Sequence, residues 1–369
     1  MSPPSIPAAN IVWRTAETLA IGAVAGLTLN WLNFPAGLIT GSLIGVAAAA
    51  LLGRPLVVPT PLSRAIYVVV GISIGAVVTP ETLTGLAAFP LAIAVLVIST
   101  LVMIAATTSY LRFVHGWDAR TALFGASPGA LAQVMTLAAE YKSDMRAVAV
   151  VQTLRVVALT LGIPIGLSSF GLTASGGLMA RFAAVGPPSL AELGILVVVS
   201  VLTAWLFFRL RLPGGLIFGA MVASAVLHGG GFIHAILPWW VAYAAVIGIG
   251  AITGSRFANT SVQTLVRFLG AALGSFAVAM AIAASAVLLL TMLMSVPPAD
   301  AVVAFAPGAQ DTMMVLALAL HLDPVFVGAL HLSRFLLVSL LVPFLAHRAK
   351  GPRAPQRKSA GETRTDDSD

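Results

Sequence analysis

"SPGALAQVMTLAAEYKSDMRAVAVVQTLR", Ser127–Arg155, sets a proline and a glycine inside an apolar helical pattern and ends on an arginine deep in the next apolar helix. "APGAQDTMMVLALALHLDPVFVGALHLSR", Ala306–Arg334, has the same layout. Aligning Pro128 with Pro307 brings Arg155 onto Arg334, an offset of 179 residues. Pro128, Gly129, Ala130, Met135, Leu137, Ala138, Asp144, Val148 and Arg155 all recur in the second stretch. Apolar bias supplies some of these matches, but not the proline, glycine, aspartate and arginine together. Upstream, "FPAGLITG" (Phe34–Gly41) matches "LPGGLIFG" (Leu212–Gly219), and "GISIG" (Gly71–Gly75) matches "GAITG" (Gly250–Gly254). Three motifs in one order at nearly one offset imply a tandem duplication.

Composition fixes the class. Of 369 residues 59% are hydrophobic and only 9% charged, with a mean hydropathy of +1.01. Soluble domains carry about 25% charged residues. Runs such as Leu86–Thr108 and Gly270–Met294 can each cross a hydrocarbon core of about 30 Å. The expected fold is therefore an all-α polytopic membrane protein, because a backbone in lipid must satisfy its own hydrogen bonds. Alternating strands of the kind that build a barrel are missing from the pattern. The net charge of +7 reads as basic residues gathered on cytoplasmic loops rather than as a nucleic-acid surface. With no cysteine, disulfides, thiol chemistry and cysteine-ligated metals are excluded. The N-terminus has no basic segment before its first apolar run, so the first helix is expected to stay as an anchor.

Each copy reads as six segments: 13–32, 35–52, 64–79, 87–110, 118–141 and 145–166, then 190–208, 213–229, 238–254, 264–294, 300–320 and 324–346. The chain divides into a first repeat (1–166), a Gly/Ser/Pro-rich linker (167–189), a second repeat (190–347) and a basic, then acidic, disordered tail (348–369). If all twelve segments span, Lys142, Arg146, Arg209, Arg211, Arg256 and Arg267 lie opposite the basic tail. If the fifth segment of each copy enters and leaves on one side, each copy has five crossings and the second is inverted. Every Lys and Arg except Arg155, Arg181 and Arg334 then falls on the cytoplasmic side. The expectation is thus a bacterial inner-membrane protein with cytoplasmic termini and two inverted repeats. Each repeat has about five transmembrane helices and one Pro-Gly-broken re-entrant helix.

The duplicated unit, with its "PGA…D…R" and "FPAGLITG…GISIG" motifs, resembles the AbrB family of bacterial integral membrane proteins over about residues 12 to 346. The resemblance implies two functional names, a regulator affecting gene expression and an ammonia monooxygenase. Nothing in the chain looks like the small DNA-binding transition-state regulator that shares the name. Family members often read Pro-Gly-Gly followed by glutamates. Here the third position is Ala130 or Ala309, and of Leu131, Ala132, Gln133, Gln310, Asp311 and Thr312 only Asp311 is acidic.

The breaks at Ser127-Pro128-Gly129 and Ala306-Pro307-Gly308 are the first site candidates. A midplane break exposes the N–H groups of the second arm, whose partial positive end suits a carboxylate. Discontinuous helices at matching places in two repeats point to a transporter site. Arg155 and Arg334, about 16 Å into their helices, either contact solute, cap free carbonyls of the broken helix, or pair with Asp311. Asp311, four residues past Pro307, either couples to a proton or sodium ion or pairs with Arg334. Gln133, Gln310 and Thr312 are uncharged neighbours in the same turns. Gln152 and His331 precede the arginines by three residues and share their face. Asp144 and Asp323 read as helix N-caps, and Glu17 and Glu192 as first-turn acids on helix dipoles. The glycines of "GLITGSLIG" and "GLIFGA" read as close helix packing. The basic patch from Arg348 to Lys358 reads as a lipid-facing cluster. The six histidines show no metal-ligand spacing, and no catalytic or nucleotide motif stands out.

The expected function is a non-enzymatic secondary transporter, without a cofactor, for a small solute such as an organic anion. It would work by alternating access around the two breaks. A non-transporting membrane regulator is the alternative, and a monooxygenase is third. Expected partners are the lipid bilayer, a small-molecule solute and further copies of the chain in a homo-oligomer, with no nucleic acid.

Overall fold

A computed structural model describes residues 8–78, 89–129, 131–172, 189–212 and 214–349. Among them the chain forms fourteen α-helices. They are α1 (Ala8–Trp31), α2 (Gly37–Leu51), α3 (Thr60–Gly75), α4 (Phe89–Phe113), α5 (Ala119–Ala126), α6 (Leu131–Glu140), α7 (Met145–Ser169), α8 (Leu190–Arg209), α9 (Gly215–Gly229), α10 (Trp239–Ser255), α11 (Val262–Leu293), α12 (Pro298–Phe305), α13 (Gln310–Ala319) and α14 (Pro324–Arg348). A 3₁₀ turn, Arg256–Asn259, follows α10. The tail from residue 350, and most of the expected linker, lie outside the described residues; α7 runs three residues past the expected repeat end.

Among the described residues six segments are long and apolar enough to cross a membrane: α4, α7, α8, α10 with its 3₁₀ turn, α11 and α14. The sequence pattern predicted about five crossings per repeat. The difference lies in α2, α3 and α9, which stop at 15, 16 and 15 residues, only about 22–24 Å at 1.5 Å per residue. Gly53, at φ 90°, and Gly231, at φ 70°, end α2 and α9. The chain then runs extended through Pro59 and Pro238 before the next helix starts. The helix α1 has 24 residues, but polar side chains, including Arg14 and Glu17, keep it out of the apolar set.

Glycines set the central packing. The helix α2 lies between α1 and α10, and α9 lies between α8 and α3. A Cβ on Gly41 would sit 2.3 Å from the Ala25 carbonyl oxygen of α1; one on Gly219 would sit 2.6 Å from the Thr203 carbonyl oxygen of α8. Gly71 and Gly75 of α3 likewise meet the carbonyls of Ile217 and Met221 on α9, and Gly250 and Gly254 of α10 meet those of Ile39 and Leu43 on α2. In lipid, helices associate through van der Waals contact at such small residues. Hydroxyls reinforce the crossings: Ser42 donates to the Ile247 carbonyl at 2.7 Å, and Ser224 to that of Ile72 at 2.8 Å.

Ala36 precedes α2 at φ 53°, and Gly214 precedes α9 at φ 60°. This left-handed geometry costs an alanine about 1 kcal/mol relative to glycine. Ala36→Gly is therefore expected to raise the unfolding midpoint slightly. A fall on thermal unfolding in detergent would mean that the Ala36 methyl packs better than its backbone suits it.

Candidate functional site

The helix breaks lie where the motif placed them. The helix α5 ends at Ala126 and α6 begins at Leu131; α12 ends at Phe305 and α13 begins at Gln310. Proline lacks an N–H and forces the residue before it out of the helical region. Ser127 and Ala306 accordingly have ψ 117° and 134°. Ser127 is fully buried, its hydroxyl returned to the Leu123 carbonyl at 2.7 Å. Neither Gly129 nor Gly308 has positive φ. Gly129 faces Val338 of α14, and Gly308 lies under the Met313 side chain.

Each break leaves carbonyls at the end of its first arm, and a buried arginine takes them up. Arg155 donates to the carbonyls of Gly125 (2.6 Å) and Ala126 (3.2 Å). Arg334 donates to Ala306 (2.5 Å), Phe305 (2.9 Å) and Ala304 (3.3 Å). One turn earlier, Gln152 donates to the Phe124 carbonyl at 2.8 Å, and His331 Nε2 lies 3.1 Å from that of Val303. The guanidinium charge also sits at a helix C-terminus, where it complements the dipole. Of the roles open to the arginines, carbonyl capping is the one this geometry occupies. Asp311 does not pair with Arg334.

The acids sort similarly. Asp144 accepts from the N–H groups of Arg146 and Ala147, and Asp323 from those of Val325 and Phe326, so both are N-caps. The backbone N–H of Asp144 donates to the Thr121 hydroxyl and that of Asp323 to the Asp300 carboxylate, tying each first arm to the helix after its break. Glu192 stands in the first turn of α8 and also accepts from His234 and Ala235 N–H at 3.0 Å. Glu17 departs from expectation. Because α1 begins at Ala8, Glu17 lies well past the first turn and instead pairs with Arg54 at 3.4 Å.

Of the remaining candidates, Gln310 and Asp311 line a cavity of about 440 Å³. Leu131, the first residue of α6, lines it together with Ala309, Gln310 and Asp311 at the start of α13. Both breaks thus open on the same space. Asp311 Oδ2 lies 3.7 Å from Arg256 Nη2 and accepts from the Tyr67 hydroxyl at 3.4 Å; its Oδ1 accepts from Thr312 N–H at 2.9 Å. Thr312 is fully buried behind it. The Gln133 side chain lies outside the described residues. Phe208, whose ring carries Arg64 at 4.8 Å, and Phe335 close the apolar wall. Sequence reasoning missed Tyr67 and Arg256, since Arg256 passed as one more loop cation. The usable signal was its place just after "GAITG", at the end of a helix.

The second arms of the two broken helices differ in burial. Thr312–Leu318 of α13 is wholly buried, Met313–Leu318 within the largest core cluster, whereas α6 has Thr136, Ala139 and Glu140 exposed. This fits one fixed and one less constrained arm around the cavity.

A protein of Escherichia coli (strain K12) named "Putative regulator AbrB" is 28% identical over 342 residues, which is 92% of this chain and 96% of the other. "Uncharacterized protein YhjN" of Bacillus subtilis (strain 168) is 25% identical over 366 residues, covering 92% and 95%. The family described as "Transition state regulatory protein AbrB" matches residues 38–350. That span takes in both Pro-Gly breaks, both capping arginines and the cavity between them, and the chain belongs to the AbrB family.

Proposed function

We propose that the protein is a multi-pass secondary transporter for a small carboxylate-bearing solute, working by alternating access at the cavity where the two helix breaks meet. One observation carries this reading: the N-terminal ends of α6 and α13 line one cavity, with a cation, an anion and an amide beside them. Second-arm N-termini at a midplane break recur as solute sites in transporters, and Arg256 beside the start of α13 supplies the cation for a carboxylate. The pairwise recurrence of the breaks, the capping arginines and the glycine crossings supports two related halves of opposite orientation. In that arrangement the inner end holds Arg64, Lys142, Arg146, Arg211 and Arg256, and the outer end holds the loop from Gly230 to Pro238. Each hairpin re-enters from its own side. The regulator reading rests on the printed names of the family and of the Escherichia coli relative.

Uptake by proteoliposomes tests transport directly. Saturable, protein-dependent flux of an organic acid is expected; no flux across a broad panel, with folded protein in the vesicles, would leave the regulator reading. Topology is tested with single cysteines in this cysteine-free chain. Cysteine at Lys142 or Arg211 is expected to react only from the cytoplasmic side, and cysteine at His234 only from outside. Labelling of position 142 from outside would remove the re-entrant arrangement.

A further inference from the structure

We infer that the cavity at the two breaks binds an amphipathic α-amino acid, with its carboxylate on Arg256 and its ammonium on Asp311 and Gln310. The inference takes its location from the proposed transport site and adds the chemical class of the solute.

The charge balance comes first. Among the described residues the wall presents one cation, Arg256, and one anion, Asp311, 3.7 Å apart. A plain carboxylate would gain Arg256 but lie against Asp311, and a plain amine would meet the reverse. A zwitterion satisfies both at once.

The pair is also open. A closed, charge-assisted N–H···O bond measures about 2.7–2.9 Å, and this contact is longer. Arg256 Nη1 and Gln310 Oε1 are both buried without a hydrogen-bond partner among the described residues. One is a donor suited to a carboxylate, the other an acceptor suited to an ammonium. Buried polar groups in folded proteins are nearly always satisfied, and an aminocarboxylate would satisfy these two.

The rest of the wall is apolar. Phe208, Leu212, Leu216, Ile217 and Phe335 enclose the side away from the charges. The volume falls within the range of about 300–1,000 Å³ typical of small-molecule sites, so a solute with a sizeable apolar side chain fits. Arg256 is also the wall of a second cavity, of about 450 Å³, whose other polar residues are Arg146, Thr260, Ser261 and Thr264. A hydrated carboxylate meets two arginines and three hydroxyls there, and Arg256 hands it to the inner cavity.

The test uses the full-length protein in detergent, titrated with phenylalanine, 3-phenylpropionate and phenethylamine while thermal unfolding is followed. Binding to the native state raises the midpoint by mass action. A saturable rise with phenylalanine is expected, with an apparent affinity at least about tenfold weaker for either analogue that lacks one charge. Arg256→Gln and Asp311→Asn are each expected to abolish the preference for the zwitterion. If either variant fails to fold, Leu216→Trp keeps both charges and narrows the apolar end, and it must weaken phenylalanine binding. Equal binding of 3-phenylpropionate would overturn the inference, as would the absence of any response to phenylalanine, leucine and alanine. Flux is read separately. Saturable amino-acid binding without flux removes the transport reading and leaves the site. Flux of another solute without amino-acid binding removes the site assignment and leaves transport.

Discussion

Arg334→Ala is expected to insert into the membrane and yet fail to hold the second broken helix. Insertion depends on the apolar length of α14, which the change does not shorten. The broken helix depends on three carbonyls, of Ala304, Phe305 and Ala306, that among the described residues Arg334 takes up at the break. Each buried acceptor left unsatisfied costs about 1–3 kcal/mol, so the loss is about 3 kcal/mol or more, a large share of the stability of a typical protein. Arg334→Lys is expected to recover only part of this, because an ammonium lacks the planar fork that spans neighbouring carbonyls. Melting midpoint and size-exclusion homogeneity in detergent are the measurements. An alanine variant as stable as the parent but without flux would instead place this arginine on the solute.

Valine at Gly71 or Gly250 is expected to be worse still. A Cβ at Gly71 would fall 2.4 Å from the Ile217 carbonyl oxygen, and one at Gly250 would fall 2.6 Å from that of Ile39. These are backbone atoms on the partner helix, so no side chain can rotate aside, and the whole crossing must open. Overpacking costs about 1–3 kcal/mol where neighbours give way; here it also separates helices held largely by contact. Loss of monodisperse protein is the expected readout. Gly162 is the control, since nothing lies within 4 Å of a Cβ there. Gly162→Ala should be neutral or should stabilise by up to about 1 kcal/mol through helix propensity. Equal tolerance at all three positions would show that the crossings are not held by close contact.

The breaks, the caps at Asp144 and Asp323 and the glycine crossings could be read from the sequence because each depends on local chemistry. Proline removes a donor wherever it falls, and aspartate before a helix start accepts its free N–H groups. The task of Arg155 and Arg334 was only half legible. Their depth in an apolar helix marked them as costly, but nothing in one dimension says whether a guanidinium meets a solute, a carboxylate or a carbonyl. The Tyr67–Asp311–Arg256 cluster was illegible for the same reason. Its members lie on three helical segments far apart in sequence, and Arg256 looked like a loop cation because it follows a helix end. Glu17 was misplaced because the helix starts earlier than the apolar run that announced it. The span of α3 was shifted rather than misjudged in length, 60–75 against an expected 64–79, because Pro59 and Pro61 start the helix ahead of the apolar run.

The crossing of α2 with α10 bears on how the chain is made. Ser42 donates to the carbonyl of Ile247, a partner 205 residues later. At about 5–20 residues per second of synthesis, roughly ten to forty seconds separate the two partners. The helix α1 can meet α2 almost at once, but the face of α2 that carries Ile39 and Leu43 has no mate until α10 emerges. The face of α3 that carries Gly71 and Gly75 waits likewise for α9. A nascent chain halted before residue 215 would therefore leave both surfaces against lipid or the insertion machinery, and the first half of the protein is completed only by the birth of the second.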